Sequence, residues 1–172
     1  MTDYNPEIVH TRLGGGRQRL ETETRFPVPV DEVFPFFTDV DNLERITPPE
    51  LGFRVLTPVP VEIEEGTLFD YRLRLWGVPF GWRSRISVWE PPHRFADEQL
   101  SGPYHSWFHE HLFEADGGGT RMTDRVTWRL PGHPLAAPFL PLVRHQLERI
   151  FRFRAQAIAR LVVPVSGDQR EL

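Results

Sequence analysis

Four turn sequences divide residues 67–130 into five short segments, and this division sets the framework of the fold. The turns are rich in glycine and proline and lie at Gly77-Val78-Pro79, Glu90-Pro91-Pro92, Ser101-Gly102-Pro103 and Asp116-Gly117-Gly118-Gly119. Because short turns of this composition join neighbouring antiparallel strands, the pattern predicts a five-stranded meander.

The segment before the meander predicts one further strand and two short helices. Residues 17–26 alternate between apolar or small and charged side chains, which indicates a half-buried strand. Asp31 is expected to cap a first short helix, and Asp41 or Asn42 a second one that Pro48 ends.

A long amphipathic helix is predicted after the meander, from about Leu140 to Val162. At 100° per residue one apolar stripe is formed by Val143, Leu147, Ile150, Phe151, Ala157, Ile158 and Leu161. A helix of about 22 residues is about 33 Å long, which is enough to cross a whole sheet.

The composition is that of one globular domain without disulfide bonds. The 172 residues include no Cys, and 20 basic residues against 24 acidic ones give a net charge of −4. This charge argues against a nucleic-acid partner, and the sequence shows neither a signal peptide nor a membrane-inserted segment. We expect a cytoplasmic protein with a single domain over 16–162, a loose arm over 1–15 and a polar tail over 163–172; no sequence feature specifies its oligomeric state.

Cross-strand pairing predicts which side chains share a face, because a one-residue slip would exchange the two faces. Across the last turn the pairing sets Trp107 opposite Trp128, and Glu110 opposite Arg125 as an ion pair on the outer face. The other turns predict the pairs Tyr71 with Ser84, Val88 with Phe95, and Asp97 with Trp107.

The inner face predicted in this way is aromatic but carries many polar side chains. They are Ser84, Asp97, Gln99, His105, His109, His111 and Asp124. Each buried polar group that lacks a partner costs about 1–3 kcal/mol, so a solid core would not hold so many. A wall of this kind therefore predicts a ligand cavity.

Three segments of the chain carry a resemblance to a known superfamily. They are VPVDEVFPFFTDVDNLERITPPELGFRVL, WRSRISVWEPPHRFADEQLSGPYHSW and HEHLFEADGGGTRMTDRVTWRLP. Together with the order of elements they resemble the START/Bet v 1-like (SRPBCC) superfamily, in its bacterial ligand-binding or polyketide cyclase/dehydrase-like branch. The resemblance implies an α+β helix-grip fold, in which a curved antiparallel sheet wraps around the long C-terminal helix.

The expected function is the binding of a small, largely hydrophobic molecule between the sheet and the C-terminal helix. A lipid, a polyketide or an aromatic-like compound would fit such a wall. The candidate ligand-binding residues are Tyr71, Trp82, Ser84, Asp97, Gln99, His105, Trp107, His109, His111, Asp124, Val126, Trp128, Phe151 and Arg154.

Two other functions stay open at this point. An enzyme of the cyclase or dehydratase type would use His111 and Asp124 as an oriented general base, and these two are the candidate catalytic residues. A protein-interaction module would use Phe108 and Trp89, which are expected to be exposed.

The histidines of the inner face could also ligate zinc or iron. His109 and His111 lie two residues apart on one strand, with His105 nearby and Asp124 opposite. The alternative is a hydrogen bond between histidine and Asp124 that fixes the imidazole tautomer without a metal. We favour the hydrogen bond, and we expect neither a metal nor another cofactor.

Arg154 is an anomaly in the long helix, because it lies about 40° from Ile150, at the middle of the apolar stripe. A buried guanidinium requires a carboxylate or an anionic ligand. Asp97 and Asp124 are the carboxylates expected on the facing wall, and we expect one of them to pair with Arg154. The alternatives are an anionic ligand, and a side chain that extends its head to solvent.

Overall fold

The computed structural model of the chain describes residues 5–163 and contains an eight-stranded antiparallel sheet, in the order β1-β2-β8-β7-β6-β5-β4-β3. The strands are β1 (Glu7–Gly14), β2 (Arg17–Phe26), β3 (Arg54–Val55), β4 (Leu68–Leu75), β5 (Val78–Glu90), β6 (Arg94–Ser101), β7 (Ser106–Asp116) and β8 (Gly119–Arg129). The helices are α1 (Val30–Thr38), α2 (Asp41–Arg45) and α3 (Leu140–Val162), with short 3₁₀ turns at Pro49–Leu51 and Ala137–Phe139. The predicted meander of five strands and the helix-grip architecture are confirmed.

Helix α3 begins and ends at the predicted residues and packs against the inner face of the sheet. Its buried side chains are Val143, Leu147, Phe151, Ala155, Ile158 and Ala159. Leu161, which the sequence places on the apolar stripe, is 37% exposed instead, whereas the next residue, Val162, packs against the cluster that contains Ile158. Within the described part of the chain, no helix has the length and apolar character needed to cross a membrane.

The pairing of β7 with β8 follows the prediction throughout. Trp107 lies opposite Trp128, and Glu110 lies opposite Arg125 on the outer face. Arg125 Nη1 donates to Glu110 Oε2 at 3.0 Å, and Arg94 Nε donates to Glu110 Oε1 at 2.8 Å. The buried Glu110 carboxylate is therefore neutralised by two arginines on neighbouring strands.

Strands β4 and β5 pair two residues away from the predicted register. Tyr71 lies opposite Trp82 instead of Ser84. The difference arises at the turn, which contains only Trp76 and Gly77, with φ angles of 50° and 82°. Positive φ at both central residues is typical of a tight hairpin turn of this length. Because the displacement is even, every side chain keeps its predicted face.

A similar displacement occurs between β6 and β7, where Asp97 lies opposite His109 instead of Trp107. The loop between these strands is held by Gln99, whose Nε2 donates to the Tyr104 carbonyl oxygen at 2.7 Å. The Tyr104 backbone N–H donates back to Gln99 Oε1 at 3.3 Å. These bonds keep the loop longer than expected, so pairing starts later along β7.

A β-bulge interrupts the pairing of β5 with β6 between Ile86 and Val88. Phe95 consequently lies opposite Trp89, and the predicted pair with Val88 is wrong. The Trp89 ring packs on Phe34 and Phe95 with centroid distances of 5.7 and 6.1 Å. The expected exposure of Trp89 is therefore wrong as well.

The second aromatic residue expected on the exterior, Phe108, is half-buried on the outer face of the sheet. Its partners across the strands are Glu98 on β6 and Thr127 on β8. With Trp89 packed inside, these two residues do not form a shared exposed patch.

The N-terminal arm is not loose over residues 7–14, where strand β1 pairs with β2. Ile8 of β1 packs against the apolar cluster that contains Leu20, and His10 Nε2 lies 3.0 Å from Glu148 Oε1 on α3. These contacts give the strand an ordered place at the sheet edge, although its composition is largely polar. The predicted tail falls on residues 164–172, which lie outside the described residues, and on Val163.

The predicted helix caps are also wrong. Helix α1 begins after Pro29, and Asp31 lies inside its first turn without a side-chain capping bond. Helix α2 is preceded by Val40, and the Asp41 backbone N–H donates to Asp39 Oδ1 at 3.0 Å. Asp31 therefore stabilises α1 through the helix dipole, and Asp39 stabilises the turn before α2 by accepting a hydrogen bond.

Candidate functional site

A cavity of about 170 Å³ lies between the sheet and α3. The sheet contributes Leu73, Trp82 and Trp107 to its wall, and α3 contributes Leu147 and Phe151. These side chains face one another because alternate residues of each strand point to the concave side of the sheet. The cavity is thus largely apolar, as the sequence predicts.

A smaller space of about 70 Å³ adjoins this cavity deeper in the sheet. Both spaces share wall residues, namely Leu43, Tyr71, Asp97, His109 and Arg154. We call the larger space the apolar cavity and the smaller one the polar chamber. Three titratable side chains, Asp97, His109 and Arg154, lie where the two spaces meet.

Two buried histidines of the chamber wall contact one oxygen of Asp124, a predicted ligand-binding residue that does not itself line either space. His109 Nε2 donates to Asp124 Oδ1 at 3.0 Å, and His111 Nδ1 lies 2.7 Å from the same oxygen. On its other side His109 Nδ1 lies 3.8 Å from Asp97 Oδ1. The cluster forms because His109 and His111 are alternate residues of β7, with Asp97 and Asp124 opposite them on β6 and β8.

Burial and the contacts within this cluster shift the pKa values of its titratable groups in different directions. Burial, together with the neighbouring His109, lowers the pKa of His111 to about 3, so this ring is neutral at pH 7. Burial raises the pKa of Asp97 above its ordinary value, although His109 and Arg154 oppose the rise. Burial also acts to raise the pKa of Asp124, but its contacts with both histidines hold that pKa well below the ordinary range. Asp124 is therefore the ionised acceptor, and Asp97 is the carboxyl group that protonates more easily.

Arg154 extends from α3 to the junction of the apolar cavity and the polar chamber. Within residues 5–163 it has no ion-pair partner within 4.0 Å, and its buried Nε has no hydrogen-bond acceptor. The expected direct pair with Asp97 or Asp124 is therefore wrong. Asp124 is engaged by the two histidines instead, and the Arg154 charge acts on both carboxylates from a longer distance.

Several predicted site residues do not line either space. Val126 and Trp128 are fully buried in a packed cluster with Leu20. Ser84 is also buried, behind the wall that Tyr71 forms. All three lie on the predicted inner face, but neighbouring side chains cover them.

Gln99 and His105 also lie outside the wall. Gln99 uses its amide to hold the loop before β7, as described above. His105 is exposed, because the pairing of β7 with β8 begins only at Ser106 and the alternation of faces does not extend into the loop.

The structure adds wall residues that the strand pattern does not reveal. Tyr104 occupies the place expected for its neighbour, and its ring lies 4.8 Å from Trp107 and 5.8 Å from Trp82 between centroids. Leu43, Thr47, Leu51 and Phe53 come from α2 and the irregular segment after it. No periodic signal marks these residues, because they belong to a loop and to short helical turns.

The polar chamber also holds three side chains in an arrangement that a metal ion could use. Ligand atoms of Asp97, His109 and His111 all lie within 4.8 Å of one another. Two histidines and one carboxylate are a donor set suited to zinc or iron. However, both rings already contact Asp124, and Arg154 adds positive charge to the same space.

We therefore expect elemental analysis of the purified protein to find well under one zinc or iron per chain. A chelator should leave the melting temperature unchanged, because the histidine–Asp124 contacts need no metal. His109→Ala serves as the matched variant for this measurement. A stoichiometric metal that disappears in His109→Ala would contradict the expectation.

Comparisons with known proteins agree with this architecture. A family model described as polyketide cyclase / dehydrase and lipid transport matches residues 17–163. A search of curated proteins finds no match to the chain.

Solved structures include similar chains of low sequence identity. The protein TTHA0849 from Thermus thermophilus is 16% identical with a TM-score of 0.68, covering 84% of this chain and 96% of that one. The Zhui aromatase/cyclase from Streptomyces sp. R1128 is 18% identical with a TM-score of 0.64, covering 88% and 98%. Ara h 8.0201 is 18% identical with a TM-score of 0.60, covering 84% and 99%. At these identities the likeness concerns the fold, which is that of the START/Bet v 1-like (SRPBCC) superfamily, and the family-model match shows that the chain belongs to the polyketide cyclase / dehydrase and lipid transport family.

Proposed function

We propose that this protein binds a small, largely hydrophobic molecule, such as a lipid, a polyketide or an aromatic compound, in the apolar cavity. The observation that carries the proposal is the cavity itself, which is walled by apolar side chains from both the sheet and α3. The family description and the aromatase/cyclase among the similar structures support the same class of ligand.

The aromatic part of the wall favours a ligand with a flat or ring-bearing portion. Trp82 and Trp107 meet edge to face, with centroids 5.3 Å apart and an interplanar angle of 89°. Tyr104 contacts both rings, so three aromatic side chains surround one corner of the cavity. Rings in such an arrangement offer both faces and edges to a guest ring.

N-phenyl-1-naphthylamine, a small neutral fluorophore, tests this proposal directly. We expect it to bind near one molecule per chain and to take excitation energy from the tryptophans of the wall. Native mass spectrometry of freshly purified protein, followed by extraction, should reveal any ligand that copurifies. The absence of saturable fluorophore binding, together with the absence of an extracted molecule, would contradict the proposal.

The second candidate function is an enzyme of the cyclase or dehydratase type, and one observation favours it. His109 faces both spaces, its Nε2 lies 3.0 Å from Asp124 Oδ1, and its Nδ1 lies on the side of Asp97. The base for this chemistry would therefore be His109 with Asp124, since the predicted base His111 is more deeply buried and its pKa is low.

Incubating the extracted ligand with the protein separates binding from turnover. An unchanged mass supports a binding protein, which we favour because the wall of the apolar cavity is largely apolar. The loss of one water by the wild type, but not by His109→Gln, would support a dehydratase instead.

A further inference from the structure

The arginines of α3 differ in how their charge is satisfied. Arg144, Arg149 and Arg152 donate to Gln18, Glu50 and Asn5, respectively, so each is tied to a partner elsewhere in the fold. Arg160 is exposed to solvent. Arg154, by contrast, lines an internal space.

The neighbours of Arg154 along the helix show why its head points inward. Phe151, Ala155 and Ile158 are all buried against the sheet, and they lie three residues before, one residue after and four residues after it. A side chain between them starts on the face of α3 that packs on the sheet. Its buried Nε is without an acceptor in the described part of the chain.

The carboxylates near Arg154 do not pair with it. Asp124 contacts both histidines through one oxygen, and the closest charged group to Asp97 is His109, at 3.8 Å. Neither carboxylate comes within 4.0 Å of the guanidinium among the ion pairs of residues 5–163. A guanidinium that lines an internal space without a partner is stabilised when an anion or a strong acceptor binds it.

The internal spaces around Arg154 differ in polarity. Arg154 is at the junction, so a group bound to it has the polar chamber on one side and the apolar cavity on the other. A third space of about 270 Å³ shares the wall residues Leu75 and Tyr104 with the apolar cavity and also has the exposed Phe139 and Leu142 in its wall. Arg154 is thus a cationic group in the wall of a largely apolar cavity, and a further apolar space adjoins that cavity.

We propose that the ligand is an apolar molecule with one acidic group, and that Arg154 binds the anionic oxygens of this group. This inference rests on the proposed binding function and narrows its ligand class. The apolar body would occupy the cavity beside Trp82 and Trp107, and its far end would extend towards Phe139. Asp97 lines the same junction, and burial raises its pKa, so its carboxyl group opposes a bound anion less than an exposed aspartate would.

Two fluorophores with the same ring body test the inference. N-phenyl-1-naphthylamine is neutral, and 8-anilino-1-naphthalenesulfonate carries one sulfonate in addition. In Arg154→Met we expect the affinity for the sulfonate to fall about ten- to a hundredfold, the range for a lost charge-assisted hydrogen bond. The affinity for the neutral probe should change by less than about twofold, and the melting temperature should stay the same or rise.

The control variant is Arg160→Met, which removes an exposed arginine from the same helix and should leave both affinities unchanged. Arg154→Gln, which is polar but uncharged, repeats the test should the methionine variant fail to fold. Equal weakening of both probes, or no weakening of either in a folded variant, would overturn the inference. Failure of the neutral probe to bind the wild type would instead contradict the proposed binding function.

Discussion

Leu43→Trp is expected to block the binding of N-phenyl-1-naphthylamine while leaving the protein folded. Leu43 lines both the apolar cavity and the polar chamber from α2, and it is only partly buried, so a larger ring can enter the space without displacing packed side chains. A probe that can no longer bury about 100 Å² of apolar surface loses about 2.5 kcal/mol, which is on the order of a hundredfold in affinity. Fluorescence titration measures this loss.

The matched control places the same new ring where the interior is solid. Val126 is fully buried and packs with Leu20 and Trp128, so Val126→Trp has no space to fill and should cost about 1–3 kcal/mol of stability or more. Urea unfolding of both variants separates the two effects. If Leu43→Trp binds the probe as well as the wild type does, the space is not the binding site.

Asp124→Ala is expected to lower the free energy of unfolding by about 2–5 kcal/mol. Its Oδ1 hydrogen-bonds His109 Nε2 and lies 2.7 Å from His111 Nδ1, all three side chains are buried, and the substitution removes the ionised carboxylate that both imidazoles contact. Each buried polar group stranded in this way costs about 1–3 kcal/mol. Equilibrium unfolding in urea at pH 7 gives the difference directly.

Asp97→Ala is the matched control for this measurement. Asp97 lies in the same cluster, but its closest contact there is the 3.8 Å approach to His109, and about 23% of its side chain is exposed. Its removal also eliminates a carboxyl group that burial disfavours when ionised, so we expect a loss below about 1 kcal/mol or a gain. Equal losses in the two variants would show that Asp124 does not hold the histidines together.

Apart from the end of β5, where the bulge turns Trp89 inward, the faces of the sheet could be predicted from the sequence, because they depend only on whether a register is odd or even. Tyr71 and Asp97 each lie two residues from the expected partner, yet both face inward as predicted. The partners themselves depend on the conformation of the turns. The positive φ of Trp76 is one example, and the amide of Gln99 that holds the following loop is another.

The site could be predicted only where it is built from strands and from the long helix. The alternation of strand faces predicts that His109 and its neighbours on β6 and β8 point inward. The helical period predicts the same for Arg154. Tyr104 and Leu43 come from segments without a regular period, so no pattern marks them. The alternation of faces also does not predict which inward side chains reach the cavity. Val126 shares a face with the cavity wall but is covered by other side chains.

The bulge in β5 separates two parts of the interior: one contains the internal spaces, and the other is filled by packed side chains. Before the bulge, Trp82 and Ile86 face the two internal spaces. After the bulge the inward position shifts by one residue, and Trp89 joins Phe34 and Phe95 in a set of aromatic contacts. The same cluster contains Ile158 of α3, so packed rings fill the interior beside the C-terminal part of this helix and confine a guest molecule to the part before the bulge.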